Sequence, residues 1–191
     1  VAIPLILLLK DRNKKSYIIR SQNKNELLEK TFSDLPEIEK LLDLEKHARS
    51  ECSGIEYDSL IGNWKFVSVW KKDTNDEDFA FSSLLKVFSA NLELQNDILN
   101  QHPHGISISA SIQFVYFSIK FSGSGYLKGK QPLLTYYFNL IELKSGTSIW
   151  LSKSLKEPVE KSFIELIASD KSEGWLSARV QGVSLVLWLK E

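Results

Sequence analysis

The sequence is poor in cysteine and has no excess charge of either sign. Cys52 is the single cysteine among 191 residues, which excludes a disulfide framework and fits a reducing compartment. The 24 basic side chains balance 24 acidic ones, so the chain has no bulk attraction for polyanions. We therefore expect no nucleic-acid partner.

Long hydrophobic runs are also missing. The apolar run from Ile3 to Leu9 contains Pro4 and is far too short to span a bilayer. Basic residues do not precede this run and no small-residue cleavage site follows it, so we expect no secretory signal. These features favour a cytoplasmic protein.

Motifs that carry catalysis are absent too. The sequence contains no Gly-x-Ser-x-Gly elbow and no Walker loop. Two of its three histidines flank Pro103, but a third ligand at metal spacing is missing. We therefore predict no catalytic residue, no metal site and no cofactor, and we expect that the protein is not an enzyme.

The first part of the chain has the pattern of helix. Residues 22–50 combine capping residues with an apolar stripe formed by Ile38, Leu41 and Leu42, and Pro36 is tolerated in a first turn. Residues 79–99 are ambiguous, and a short helix followed by a strand is one interpretation.

From Leu60 onward the apolar period changes to two. In "GNWKFVSVW" this period predicts Trp64, Phe66 and Trp70 on one side of a strand and Val67 and Val69 on the other. Glycines and prolines then divide the rest of the chain into short apolar segments. Strands are predicted near 106–111, 112–122, 125–130, 133–143, 147–152, 162–168, 174–180 and 183–190.

Two of these segments lose their phase midway. Phe114 and Tyr116 occupy even positions, whereas Phe117, Ile119 and Phe121 occupy odd ones. The segment 133–143 shifts in the same way. A bulge in a strand that bends around a closed sheet explains both shifts, and so does burial on two faces.

The pattern as a whole predicts a mainly β protein, an antiparallel β-barrel with an N-terminal helical segment. We interpret residues 1–191 as one domain, with an arm over 1–21, a helical extension over 22–54 and the barrel over 58–191. Such a barrel is either filled by side chains or open to an apolar ligand, and periodicity does not distinguish these. Candidates for lining, chosen for size and alternation, are Phe66, Phe114, Tyr116, Tyr137, Phe138 and Trp188.

The strand "LIGNWKFVSVW" (60–70) resembles the Leu-x-Gly-x-Trp signature that opens the barrel of the plastid-lipid-associated proteins, or fibrillins, and the Gly-x-Trp start of lipocalins. The end "WLSARVQGVSLVLWLK" (175–190) resembles the closing hairpin of fibrillins, with Arg179 on their later arginine. The acidic residue beside that arginine, most of the glycine cluster and a basic transit peptide are missing. These departures point to a cyanobacterial member.

This resemblance implies a lipocalin-like or calycin-like barrel in which Trp64 plugs one end beneath the guanidinium of Arg179. It implies non-enzymatic binding of a small apolar molecule, such as an isoprenoid, carotenoid, quinone or fatty acyl lipid. It also implies contact with a photosynthetic, thylakoid-type membrane. Two alternatives are a packed barrel that binds a protein partner and a bilin-binding lyase that holds propionates through Arg179 or Lys128. The oligomeric state is not predicted.

Overall fold

The computed structural model describes residues 35–72, 75–97, 104–129, 132–158, 160–181 and 184–191. Three helices and nine strands follow one another along these residues. They are α1 (Ile38–Glu51), α2 (Tyr57–Leu60), β1 (Gly62–Trp70), α3 (Phe79–Val87), β2 (Asn91–Asn96), β3 (Gly105–Gln113), β4 (Ser118–Lys128), β5 (Leu133–Ser145), β6 (Ser148–Ser154), β7 (Ser162–Asp170), β8 (Trp175–Val180) and β9 (Ser184–Lys190).

The strands pair in an antiparallel manner and close into a ring. The ring runs β1-β2-β3-β4-β5-β7-β8-β9 and returns to β1. β6 pairs with the distal part of β5 and stands outside the ring. The predicted mainly β, barrel-like architecture preceded by a helix is therefore confirmed, and the first and last strands are neighbours.

The side chains that point into the ring form one cluster, here called the inner cluster. Its buried members are Leu60, Trp64, Phe66, Val69, Leu85, Ala90, Leu92, Leu94, Ile106, Ile108, Ala110, Ile112, Leu134, Tyr136, Ile164, Leu166, Leu176, Ala178, Val180, Val186 and Trp188. Their polar side-chain groups are the indole N–H groups of Trp64 and Trp188 and the phenol hydroxyl of Tyr136.

The helix α1 covers the outer face of the ring. Leu41 of α1 packs there with Val67, Trp70, Ile167, Trp175, Leu185 and Leu187, and we call this set the outer cluster. Of the predicted apolar stripe, Ile38 and Leu41 pack in this cluster, whereas Leu42 does not belong to it. The predicted helical residues 22–34 and the predicted arm over 1–21 lie outside the described residues.

A bulge in β1 corrects the predicted faces of that strand. The pairing with β9 shifts between Phe66 and Ser68, which makes Val67 an extra residue. Because one extra residue exchanges the faces that follow it, Val69 joins Trp64 in the inner cluster and Trp70 turns to the outer cluster. The prediction that Trp70 shares a face with Trp64 is therefore wrong.

The two predicted phase shifts have different causes. The shift after Phe114 is not a bulge, because β3 ends at Gln113 and a turn over 114–117 leads into β4. The shift in β5 is a bulge: Gly123 pairs with Phe138 and Ser122 with Leu140, so Asn139 is extra. The strand predicted over 112–122 is therefore wrong, whereas the bulge in β5 is confirmed.

Glycines inside β4 also correct the prediction. The prediction separates a strand over 112–122 from one over 125–130, but β4 continues through Gly123 and Gly125. A Cβ on Gly123 would overlap the carbonyl oxygen of Tyr137, and one on Gly125 would lie 2.7 Å from the carbonyl oxygen of Thr135. The two glycines allow β4 and β5 to approach closely where the ring closes.

The ambiguous segment resolves into a helix followed by a strand, which confirms that interpretation. Asp78 caps α3 by accepting a hydrogen bond from the backbone N–H of Phe81 at 3.2 Å. The Ser82 hydroxyl of α3 accepts a hydrogen bond from the backbone N–H of Val69 at 3.1 Å. This contact fixes α3 against the end of β1.

Gly123→Ala is expected to lower the free energy of unfolding by about 1–3 kcal/mol or more, because the added methyl group forces β4 away from β5. Urea unfolding measures the change. Ser118→Ala, at the start of the same strand, is the control and is expected to stay within about 0.5 kcal/mol of the wild type. Equal stability of the two variants would contradict the close approach.

Candidate functional site

One end of the ring is sealed by Trp64. Its side chain is buried, and Nε1 donates a hydrogen bond to the carbonyl oxygen of Leu60 at 2.7 Å. The ammonium of Lys190 lies 5.2 Å from the centre of the indole ring. Trp64 is therefore buried at this end, and the cation over its indole ring is Lys190.

Arg179 lies far from this plug, so the predicted stacking of its guanidinium on Trp64 is wrong. Trp64 pairs with Lys190 on β9, whereas Arg179 pairs with Leu185, five residues away. At 3.4 Å per residue this offset is about 17 Å along the strand. The two side chains also lie on opposite faces, because Trp64 points inward and Arg179 points toward α1.

Arg179 instead forms a buried ion pair with Glu45 of α1. Nε and one terminal nitrogen of its guanidinium each donate to a carboxylate oxygen at 2.8 Å, and Arg49 donates to the same carboxylate at 2.8 Å. Burial alone would raise the pKa of Glu45, but the hydrogen bonds and charges of Arg179 and Arg49 outweigh it and lower the pKa. The pair fastens α1 to β8.

The end of the ring opposite Trp64 is lined by half-buried aromatic side chains, here called the aromatic rim: Phe88, Phe114, Phe121 and Phe138. Phe88 and Phe114 have ring centres 4.6 Å apart, and Phe121 and Phe138 have centres 5.7 Å apart. Tyr136 lies beneath them, with its ring centre 5.4 Å from that of Phe138. Since these rings remain partly exposed, an apolar molecule could reach them from solvent.

The structure brings together five of the eight predicted site residues. Trp64, Phe66 and Trp188 are buried in the inner cluster, and Phe114 and Phe138 belong to the aromatic rim. Their role in ligand binding stays a prediction.

The other three predicted residues lie elsewhere. Tyr116 is 75% exposed in the turn between β3 and β4. Tyr137 points away from the inner cluster, and the ammonium of Lys161 lies 5.1 Å from its ring centre. Arg179 is held by Glu45 beneath α1. None of the three lines the ring interior.

Sequence reasoning missed Tyr136 and Phe121, which the structure places at the site. Successive side chains of a strand point to opposite faces, so Tyr136 shares a face with Phe138 and Tyr137 does not. The prediction that Tyr137 and Phe138 both line the ring therefore contradicts the alternation. The sequence groups Phe121 with Ile119 at odd positions of one strand face. Its proximity to Phe138, however, depends on the pairing of β4 with β5. That pairing is not visible in the sequence.

Six exposed apolar side chains project beside the aromatic rim, and we call them the apolar tip: Val115, Tyr116, Phe117, Ile149, Trp150 and Leu151. The first three form the turn between β3 and β4, and the others belong to β6. Phe117 and Trp150 join the two segments through an edge-to-face contact, with ring centres 5.1 Å apart. The turn follows Phe114 directly, so the tip and the rim lie at the same end of the ring.

Surface cavities on the described part of the chain include three that lie near α1 and Trp64. One, of about 700 Å³, lies along the first turns of α1, and one of about 620 Å³ lies between α1, β7 and the turn after β4. A third, of about 280 Å³, lies beside Trp64 and Lys190 at the sealed end. All three lie outside the ring interior.

Comparisons of the sequence give no relative: no known family model matches it, and no curated protein matches it at a significant level. Among the described residues, no helix has the length and apolar character needed to cross a bilayer. No group of three or more histidine, cysteine or acidic side chains in the described part is arranged to hold a metal ion.

Trp64→Ala is expected to lower the free energy of unfolding by about 3–5 kcal/mol, because it leaves a cavity at the sealed end and orphans the Leu60 carbonyl. Denaturant unfolding measures the loss. Trp150→Ala removes a side chain that is 64% exposed and serves as the control, with an expected change within about 0.5 kcal/mol. Similar effects of the two substitutions would contradict the assignment of Trp64 as a plug.

The Glu45–Arg179 pair predicts a loss of stability in acid. The pKa of Glu45 is lowered in the folded state, so its ionised carboxylate stabilises the fold. This contribution to the free energy of unfolding is present above the unfolded pKa of about 4.3, and it is lost as the pH falls through the lower folded pKa. Glu45→Gln is expected to cost about 3 kcal/mol at neutral pH and to make unfolding less dependent on pH below about 5. Urea unfolding from pH 7 downward measures both. Glu51→Gln, on the exposed side of α1, is the control. If the free energy of unfolding depended on pH equally in the two variants, the prediction would be contradicted.

Proposed function

We propose that the protein is a non-enzymatic binding protein that carries a small apolar molecule and works at a membrane surface. The observation that carries the proposal is the location of the aromatic rim and the apolar tip at one end of the ring. The sequence resemblance to plastid-lipid-associated proteins supports the same role and suggests a photosynthetic membrane as the surface. The opposite end is closed by Trp64, so entry and exit share one route.

The aromatic rim supports the binding of an apolar molecule. Its four phenylalanines offer apolar surface that is neither fully packed nor fully solvated. Removing such surface from water stabilises a complex by about 25 cal/mol for each Å². The described rim also carries no nucleophile or general base, so binding rather than catalysis is the chemistry that it supports.

The size of the apolar tip supports contact with a partner. Tyr116, Phe117 and Trp150 are 75%, 36% and 64% exposed, which leaves roughly 350 Å² of aromatic side chain in water. Val115, Ile149 and Leu151 add to this area. Exposed apolar patches of a few hundred Å² or more commonly mark interaction sites for proteins or membranes.

The shape of the tip favours a lipid surface over a second β-strand. The pairing of β6 with β5 shifts between Leu143 and Lys144, so Trp150 is an extra residue that bulges from the edge. The bulge and Lys153 both disfavour the addition of another strand to β6. Projecting aromatic and aliphatic side chains of this kind insert into the interface of a bilayer, where tryptophan and tyrosine are enriched.

A packed barrel that binds a protein partner is the second candidate. The positions of the three surface cavities favour it, because all of them lie outside the ring. The cavity between α1 and β7 is large enough for a few side chains of a partner. A lyase is less favoured, because Arg179, one of the two groups suggested for the propionates of a bilin, is held by Glu45.

Replacement of Phe117 and Trp150 by serine is expected to reduce the partition of the protein onto vesicles at least tenfold, since both aromatic side chains lose their apolar contact with lipid. Vesicle flotation with mixed phosphatidylcholine and phosphatidylglycerol measures the partition.

A second experiment tests the carrier role. The protein is recovered from vesicles that contain a pigment and lipid extract, and native mass spectrometry identifies the bound molecule. An apolar adduct on the wild type is expected.

The control is Phe79→Ser, which removes another exposed aromatic side chain, 72% exposed at the start of α3. It lies about 12 Å along the helix from Val87, the end of α3 that leads to the rim. Equal partition of the double variant and the control would overturn the membrane contact. A wild-type protein recovered without any adduct would overturn the carrier role and favour the second candidate.

A further inference from the structure

The inner cluster contains a polar atom without a partner. Tyr136 is 1% exposed, and its Oη forms no hydrogen bond within the described part of the chain. Burying a hydroxyl group without a hydrogen bond is unfavourable, and native interiors generally avoid it. This phenol therefore calls for a functional explanation.

Tyr136 lies next to Phe138 of the aromatic rim, on the same face of β5 and further from the apolar tip. Tyr136 pairs with Gly125 on β4 and with Ser162, the first residue of β7. Phe138, two residues further along the same face, has its ring centre 5.4 Å from that of Tyr136 and is only partly buried. A molecule that displaces the Phe138 ring would meet the phenol next.

The phenol is a hydrogen-bond donor at neutral pH. Burial raises the pKa of Tyr136, and the nearby Ser162 hydroxyl, which does not reach hydrogen-bonding geometry with Oη, lowers it with a weaker effect. The Ser162 hydroxyl itself already accepts a hydrogen bond from the side-chain amide of Gln181 at 3.3 Å. A neutral phenol donates through its O–H, so an acceptor such as a carbonyl oxygen would satisfy it.

The surroundings of Tyr136 exclude a charged acceptor. Arg179 is the one buried cation among the described residues, and Glu45 holds it beneath α1, outside the inner cluster. A carboxylate that entered this space would lose its hydration without gaining a cation, which costs far more than one hydrogen bond returns. The acceptor must therefore be neutral.

We propose that the molecule bound at the aromatic rim is neutral and carries a carbonyl oxygen, which accepts a hydrogen bond from Oη of Tyr136. The inference rests on the proposed carrier function and narrows its ligand to apolar quinones, ketones and esters. It disfavours fatty acids in their ionised form and hydrocarbons without oxygen.

The test compares three probes with the same ten-carbon chain: decylbenzoquinone, decylbenzene and decanoate. Each is delivered from cyclodextrin and its binding is measured by calorimetry, with wild type, Tyr136→Phe and Tyr137→Phe. Tyr137→Phe is the matched control, because it removes the same hydroxyl from the neighbouring residue, which points away from the inner cluster. Denaturant unfolding checks that both variants fold.

Decylbenzoquinone is expected to bind the wild type about tenfold more tightly than decylbenzene, the factor that corresponds to one neutral hydrogen bond. Decanoate is expected to bind more weakly than either at pH 7. Tyr136→Phe should remove the tenfold preference and leave decylbenzene unchanged, whereas Tyr137→Phe should change neither.

Two results would overturn the inference in different ways. If decylbenzene and the quinone bind equally well and Tyr136→Phe has no effect, the phenol does not meet the ligand, although the carrier function stands. If no probe binds to the wild type, the carrier function fails together with the inference.

Discussion

The close approach of β4 to β5 is the constraint on which the rest of the structure depends. The two strands pair over eleven positions, and Gly123 and Gly125 leave room for the backbone carbonyls of β5. The pairing of β1 with β9 places the two ends of the barrel sequence side by side, and the β4–β5 pairing then closes the ring. A closed ring has no free edge except at β6, which stands outside it.

Closure separates the side chains into two sets with different roles. The inner cluster is apolar and continuous from Trp64 at the sealed end to the aromatic rim. The outer cluster lies beneath α1. There the buried ion pair of Glu45 with Arg179 fixes the orientation of α1 on the ring, which apolar contacts alone do not specify. Bulges at Val67 and Ile167 assign residues to these sets, since each adds a residue that shifts the faces.

The functional proposal follows from the difference between the two ends of the ring. Trp64 closes one end with a hydrogen bond to Leu60 and a cation above its ring. At the other end the aromatic rim stays partly exposed, and the apolar tip projects beside it. The buried phenol of Tyr136 lies beneath Phe138 of the rim, so the apolar surface and a polar group are neighbours there.

The sequence by itself determined the mainly β architecture, the helix before it and the phase shift in β5, because alternation and helical spacing are local properties. It did not determine which face Trp70 occupies or where β3 ends, since one bulge or one turn reverses the alternation. Only the tertiary structure paired Arg179 with Glu45, 134 residues away, and brought Phe121 beside Phe138. Those contacts depend on strand register and ring closure, which are set by long-range pairing and leave no periodic signal in the chain.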